Sequence, residues 1–342
     1  MAVHLHRAPR TDLLADALGE LLAVPLSDPF ATEVVVVPAR GVERWLSQRL
    51  AHRLGAADGR ADGICAGVDF RSPWSLFAAL RDQHSSGSGA QDPWAPEALT
   101  WPLLNAIDDS LDEPWAAPLA LHLGHGDDSE EGVRRRGRRY ALARRLARLF
   151  AAYADQRLPL VTDWSTGGDT DGLGRHVPED LAWQPPLWRA TASIVGGPSP
   201  AQRHEETLAR LRSQPDAFEL PERVSLFGHT RLSASDVDLV GALGEHREVH
   251  LWLPHPSEVL WQALEGLGGR VARVDDRSHD LAAHPLLATL GRDSRELQRA
   301  LSPLSPATSE QVGEVPTAAP GLLGWLQADI RANVGVRPAG AP

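Results

Sequence analysis

A run of four consecutive valines at positions 34–37 constrains the fold of this chain more than any other feature. An unbroken β-branched run is typical of a strand that is buried on both faces of a parallel sheet. Helical patterns flank the run, one with leucines at 13–22 and Asp12 as its expected cap, the other from Trp45 to Leu54. Because strands and helices alternate, we predict an α/β fold built on a parallel sheet.

The same alternation returns in the last third of the chain. Residues 224–228 and 248–253 have strand character with a helical pattern between them, and a short strand is also predicted at 3–6. Residues 302–320 are rich in Pro, Ser and Thr, which predicts a loop. A last helix is expected at 321–334, and the residues from Gly335 onward have the composition of a linker.

Residues 72–215 differ from both ends because their patterns are almost entirely helical. Polar, flexible stretches at 84–90 and 165–172 interrupt them. We therefore predict that residues 1–71 and 216–342 form one discontinuous α/β domain, with a helical domain inserted at 72–215. The longest predicted helix of the insertion has five apolar side chains on one face: Leu142, Leu146, Leu149, Phe150 and Tyr153.

Composition excludes several classes of enzyme. All 34 basic side chains are arginine, so the chain has no lysine. A Walker A loop, a Schiff-base enzyme and a protein kinase each depend on a lysine, which excludes all three in their usual form. The net charge of −11 argues against non-specific duplex binding by the whole chain. The lone Cys65, the absence of long apolar runs and the lack of an apolar leader favour a cytoplasmic protein.

The segment after the valine strand is a candidate DNA-binding site, formed by Pro38, Arg40, Gly41 and Arg44 at the start of a helix. A nucleotide site is disfavoured, since the loop lacks the lysine and the second glycine of a P-loop. A tight strand–helix turn that uses Gly41 is the simplest interpretation. A third is that Arg40, Arg44 and the helix dipole bind a DNA phosphate.

Arginines are concentrated between residues 134 and 148. They follow an acidic run at 127–131 that offers partners for them. Two interpretations stay open: a surface for DNA or an acidic partner, or a solvated helix face opposite the leucine stripe. The cluster consists of Arg134, Arg135, Arg136, Arg138, Arg139, Arg144, Arg145 and Arg148.

Tryptophans and histidines allow further functional interpretations, which the patterns disfavour. Base stacking is one use of exposed aromatic side chains, but four tryptophans lie in apolar helical patterns that favour core packing: Trp45, Trp101, Trp183 and Trp188. His4 with His6, and His122 with His125, have ligand-like spacings but no accompanying acidic motif, so we expect no metal site.

Motifs spread over the whole chain resemble those of the N-terminal portion of the RecC family, the gamma subunits of exodeoxyribonuclease V. The most specific block is Trp-Gln-Pro-Pro-Leu-Trp at 183–188. The order and spacing of the blocks carry the resemblance. The other blocks are Arg7 with the helix at Leu13 and Leu14, Asp28-Pro29-Phe30, 41–46, 63–70, Leu149-Phe150 with Tyr153, Phe227-Gly228, His250-Leu251-Trp252, His284-Pro285-Leu286-Leu287-Ala288 with Gly291-Arg292, Leu322-Leu323 and Gln327-Ala328-Asp329-Ile330.

The resemblance implies a superfamily 1 helicase-like motor domain that has lost its ATP-site motifs and carries a helical insertion. It implies a non-catalytic subunit of a RecBCD-type helicase–nuclease in double-strand break repair. Such a subunit would hold RecB-like and RecD-like partners, guide the unwound 3′ single strand and sense a Chi-like hotspot. ATP and Mg²⁺ would serve the partner subunits, and this chain would need no cofactor of its own.

By the same resemblance, candidate DNA-contacting residues are Pro38, Arg40, Gly41, Arg44, Arg148, Leu149 and Arg157. Pro38, Arg40 and Arg44 replace polar, amide-bearing family residues after the valine strand, while Arg148 and Ala151 replace acidic ones. Family members continue well beyond this length, so we expect the chain to be a fragment or a truncated product. Two alternatives stay open: a protein–protein interaction segment without DNA contact, and a helicase or nuclease that acts alone.

Overall fold

A computed structural model describes residues 2–54, 63–82, 92–314 and 320–335. The chain divides into two compact units. One consists of Met1–Gln83, Leu208–Leu232 and Asp236–Pro342, and the other of His84–Thr207 and Ser233–Ser235. The domain organisation drawn from the sequence stays a prediction, and the expected loop at 84–90 and tail beyond residue 335 lie outside the described residues.

The first unit is built on a parallel sheet of six strands, which confirms the predicted α/β class. The strands lie in the order β3-β2-β4-β5-β1-β6, and every pairing is parallel. Four of them fall where the sequence predicts strands. The six are β1 Ala2–Ala8, β2 Glu33–Val36, β3 Val68–Arg71, β4 Arg223–Phe227, β5 Glu248–Pro254 and β6 Thr308–Gln311.

Fifteen α-helices accompany the strands in the described residues. They are α1 Thr11–Leu22, α2 Arg40–Ala51, α3 Pro73–Asp82, α4 Pro96–Ser110, α5 Ala117–Leu123, α6 Glu130–Arg136, α7 Arg139–Gln156, α8 Leu158–Ser165, α9 Gln184–Val195, α10 Pro200–Ser213, α11 Ala234–Gly244, α12 Glu258–Ala263, α13 Pro285–Leu290, α14 Arg292–Ala300 and α15 Leu322–Ala332. None of the described helices is both long and apolar enough to cross a membrane.

The valine strand is buried on both faces, as its composition predicts. Val35 packs against helices α1 and α2 in one core, together with Phe227 and Trp252. Val34 and Val36 belong to a second core with helices α3, α11 and α14. The alternation follows from the period of two in a strand, and it requires a helical layer on each side of the sheet.

The second unit is helical and has its own core. Helices α4, α7, α8 and α9 surround Phe150, Trp164 and Trp188, each no more than 1% exposed. The ring centroids of Phe150 and Trp188 lie 5.5 Å apart in an edge-to-face arrangement. Such edge-to-face contacts add to the stabilisation that comes from burying large side chains.

Two predictions about local structure are wrong. The expected loop at 302–320 contains strand β6, which pairs with β1 through the register His4 with Thr308. Asp12 does not cap α1, because the helix begins at Thr11 and Asp12 lies in its first turn. There the Asp12 carboxylate accepts hydrogen bonds from the Arg10 side chain at 2.9 and 2.5 Å.

Candidate nucleic-acid interface

A cleft of about 760 Å³ lies at the carboxyl ends of β2 and β3. The helix after β2 packs on one face of the sheet and the helix after β3 packs on the other. When the segments that follow two neighbouring strands diverge in this way, they leave a crevice between them. Such crevices are the usual ligand sites of open α/β sheets. Its lining residues are Val37, Pro38, Ala39, Arg40, Glu43, Arg44, Phe70, Arg71 and Ser72.

The amino end of α2 lies at this cleft and has no side-chain cap. Ala39 is the N-cap residue and supplies no side-chain acceptor. The first N–H groups of a helix have no partner within the helix, and the helix dipole makes this end attractive to anions. The arrangement therefore favours a bound phosphate, as at other helix amino ends.

Arg40 and Arg44 add positive charge to the same place. Both are exposed, and among the described residues neither forms an ion pair. On the other side of the cleft, Arg71 donates from Nε to Asp69 Oδ2 at 2.6 Å, which holds its guanidinium in place. The structure thus brings Pro38, Arg40 and Arg44 together with Phe70 and Arg71, and sequence patterns gave no reason to include the last two.

Gly41 does not form a tight turn, which corrects one of the sequence interpretations. It is the second residue of α2 and does not have a positive φ. A Cβ built at this position would meet nothing within 4 Å. The glycine is therefore required neither by backbone conformation nor by packing.

We expect the substitution Gly41→Ala to raise the free energy of unfolding by about 0.5–1 kcal/mol, because alanine loses less conformational entropy in a helix. Urea unfolding followed by circular dichroism measures the change. A loss of stability would show that the helix start is strained in a way that its geometry does not reveal.

The amino-terminal part of the arginine cluster is largely neutralised within the helical unit. Arg134 and Arg135 pair with Glu130 and Glu131 at 3.6 and 3.3 Å, one helical turn away. Arg138 and Arg139 lie 3.8 Å from Glu131 and 3.2 Å from Asp108. The Arg136 guanidinium donates to the carbonyl oxygens of Gly124 and Asp127 at 3.2 and 2.6 Å.

The carboxyl-terminal part of the cluster differs. Arg144, Arg145 and Arg148 are exposed on α7, opposite the buried Ala143, Leu146 and Phe150. In the part of the chain that the structure describes, these three arginines form no ion pair. They share one helix face, because positions i, i+1 and i+4 lie within about a third of a turn.

The other two candidate residues of the helical unit have different environments. Arg157, just after α7, is exposed. Leu149 is half-buried and packs against the core of the unit, so much of its surface serves the fold.

Two tryptophans depart from the expected core packing. Trp188 is buried, but Trp101 is 60% exposed and its ring lies 5.6 Å from that of Tyr140, while Trp45 is 38% exposed. Trp74, at the start of α3, is 74% exposed and was not singled out by its pattern. An apolar helical pattern alone did not distinguish these side chains from buried ones.

Histidines from two strands meet on one face of the sheet. One ligand atom each of His4, Glu248 and His250 lie within 4.8 Å of one another, a grouping that short sequence spacings could not reveal. His4 bonds through Nε2 to Glu248 at 2.8 Å, and His250 Nδ1 bonds to His6 Nε2 at 3.0 Å. The His4 and His250 rings stack at 14° with their centroids 4.7 Å apart.

Comparison with known proteins identifies the family. The family model described as RecC, N-terminal domain, matches residues 3–333. The chain belongs to the RecC family. The RecBCD enzyme subunit RecC of Mycobacterium tuberculosis is 58% identical to this chain, and the match covers 99% of the chain. The RecC subunit of Mycolicibacterium smegmatis is 55% identical, also over 99% of the chain. The Escherichia coli RecC subunit is 28% identical over 76% of the chain.

The match covers only part of each RecC relative. The chain spans 30% of the Mycobacterium tuberculosis subunit, 29% of the Mycolicibacterium smegmatis subunit and 22% of the Escherichia coli subunit. The family match therefore concerns the N-terminal domain of RecC.

Proposed function

We propose that this chain is a non-catalytic, DNA-guiding scaffold segment of a RecBCD-type helicase–nuclease that acts in double-strand break repair. The cleft at the carboxyl ends of β2 and β3 carries the proposal. Its uncapped helix end and the exposed Arg40 and Arg44 form a site for a negatively charged backbone. Its side chains offer no cluster that would perform chemistry on the strand.

In this mechanism the cleft binds the backbone of single-stranded DNA and sets its path, without catalysing a reaction on it. Backbone N–H groups at the start of α2 bind one phosphate, and Arg40 and Arg44 bind that phosphate or the next. Pro38 and Phe70 line the same cleft and give sugar or base an apolar surface. A strand held this way can slide, because phosphate contacts fix its path without reading its sequence.

The proposed fold is that of a superfamily 1 helicase motor without a working ATP site. Support comes from the parallel sheet with helices on both faces and from the loop after β2, which has arginines and no lysine. The partners proposed are RecB-like and RecD-like subunits, which would use ATP and Mg²⁺. The relatives' name, RecBCD enzyme subunit RecC, supports this assembly. Sensing of a Chi-like hotspot belongs to the same proposal.

The test is the salt dependence of single-stranded DNA binding, measured by fluorescence anisotropy with and without the helicase–nuclease partner. For the double variant Arg40→Gln/Arg44→Gln, we expect weaker binding. The slope of log K against log salt should fall in magnitude by about 0.7 if the two arginines share one phosphate and by about 1.4 if they bind two, since each phosphate on a single strand contributes about 0.7.

A matched control is the double variant Arg212→Gln/Arg270→Gln, which removes the same charge from the same unit. Both arginines are exposed and paired, Arg212 with Glu245 at 3.0 Å and Arg270 with Asp238 at 3.4 Å. Equal losses in the two double variants would mean that total charge, and not the cleft, governs binding. Such a result would reject the proposed path.

A second candidate is a segment that binds only protein. The helix α15 favours it, because Leu322 and Leu323 are 80% and 68% exposed and Trp325 also reaches the surface. If the partnered complex binds single-stranded DNA with no dependence on Arg40 or Arg44, this candidate replaces the first.

A further inference from the structure

A second, smaller cavity lies at the carboxyl ends of β1, β5 and β6. Its volume is about 80 Å³, which suits a single small ion and not a nucleotide. Polar side chains from four elements line it: Arg7, His255, Glu258, Gln311 and Arg331. It shares no residue with the cleft after β2.

The topology of the sheet explains why a cavity forms here. Helix α1, after β1, packs on the face that carries Phe227 and Trp252. Helix α12, after β5, places Trp261 in the core on the opposite face. Because β1 and β5 are neighbours, their following segments diverge, and this produces a second crevice of the type that binds ligands.

Arg7 is the unusual member of this cavity. Its side chain is only 5% exposed, and its guanidinium lies 4.4 Å from the centre of the Trp261 ring. Nη2 has a long ion pair with Glu258 Oε1 at 3.4 Å, while Nε and Nη1 are buried and have no hydrogen-bond partner. Buried donors of a charged group are costly to leave unpaired, so an acceptor from outside the described residues would stabilise Arg7 in this cavity.

We propose that the cavity is an oxyanion site that binds one phosphate group, with Arg7 as its principal ligand. A tetrahedral oxyanion offers several acceptors to one guanidinium, and Arg–phosphate contacts are among the strongest hydrogen bonds in proteins. Gln311 and Arg331 also line the cavity. The Glu258 carboxylate opposes the anion and competes for Arg7, so it limits the affinity.

Isothermal titration calorimetry of the 342-residue chain with inorganic phosphate, at ionic strength matched with sodium chloride, tests the site. We expect saturable binding by the wild-type chain. The variant Arg7→Gln should bind phosphate at least about tenfold more weakly, because it loses charge-assisted hydrogen bonds. Glu258→Gln should bind several-fold more tightly, and this gain cannot come from a folding defect. The paired, exposed Arg212→Gln serves as the control and should bind like wild type.

A second arm identifies the source of the phosphate. A short oligonucleotide with a 5′-phosphate is compared with the same oligonucleotide ending in a 5′-hydroxyl. Binding that depends on both the 5′-phosphate and Arg7 indicates a nucleic-acid end, whereas binding of inorganic phosphate alone indicates a free anion. The proposal is overturned if neither probe depends on Arg7, or if Glu258→Gln fails to tighten binding of the probe that does. If the Arg40→Gln/Arg44→Gln variant binds single-stranded DNA like wild type, the proposal for the Arg7 cavity still stands, since the two sites share no residue.

Discussion

Replacing Glu33 with Gln is expected to lower the free energy of unfolding by about 3–5 kcal/mol, one of the largest effects of a single substitution in this chain. Glu33 on β2 and Arg223 on β4 form an ion pair whose side chains are only 11% and 10% exposed. Arg223 donates from Nε to Glu33 Oε2 at 3.1 Å and from Nη2 to the Val24 carbonyl oxygen at 2.9 Å. Without the Glu33 carboxylate, a buried guanidinium keeps its charge but loses the carboxylate that bonds to it directly.

Urea unfolding of wild type and Glu33→Gln, with the m-value compared, measures this effect. The matched control is Glu20→Gln, since Glu20 is 72% exposed and pairs with Arg53 at 3.1 Å. The control should change the free energy of unfolding by less than about 1 kcal/mol, as surface ion pairs do. A loss at Glu33 no larger than the loss at Glu20 would contradict the expected contribution of the buried pair.

Acid should destabilise the sheet unit before its carboxylates titrate. Burial lowers the pKa of His229 to about 4, although its ring nitrogen contacts the Val36 carbonyl oxygen at 3.1 Å. Burial, with the nearby Arg7 charge, also lowers the pKa of His255 to about 4. Each histidine is thus neutral in the folded chain, while in the unfolded chain it takes up a proton near pH 6.5.

The sign of the effect follows from this difference. The stabilisation is complete above pH 6.5 and is lost as the pH falls towards 4, because only the unfolded chain binds the protons. At pH 5 the loss is about 2 kcal/mol for each histidine. Asp and Glu side chains titrate mainly below this window.

The double variant His229→Gln/His255→Gln tests the acid effect, because glutamine keeps an N–H donor and does not titrate. Between pH 7 and pH 5, we expect it to lose about 4 kcal/mol less unfolding free energy than wild type. Urea denaturation at both pH values provides the comparison. Parallel losses in the two proteins would show that other groups cause the acid sensitivity.

The strands that the sequence predicts are those whose composition reflects burial. The valine run of β2 and the apolar centres of β4 and β5 are buried in the sheet. Strands β3 and β6 were missed for a physical reason. Val68–Arg71 is only half-buried, and Thr308–Gln311 is exposed at all four residues. Such strands depend on pairing with a neighbour, which a local pattern does not contain.

The candidate site residues differ in the same way, because some could be predicted from the local sequence and others depend on strand pairing. Arg40 and Arg44 could be chosen from the sequence because they follow a recognisable buried strand and begin a helix. Phe70 and Arg71 could not, since they reach the cleft through β3 and its pairing with β2. Arg7 was part of the family resemblance, but its role depends on which strands are neighbours and on which face each following helix packs.

The polar edges of the sheet also bear on self-association. A sheet edge exposes unpaired backbone groups that can template the addition of a strand from another molecule. Here the outer strands are short and carry charges, Asp69 and Arg71 on β3 and Glu310 on β6. A second chain that docked there would have to bury those charges beside its own. The strands that are hardest to recognise in the sequence thus form the two edges, β3 beside the valine strand and β6 beside β1, and their charges disfavour the addition of a further strand.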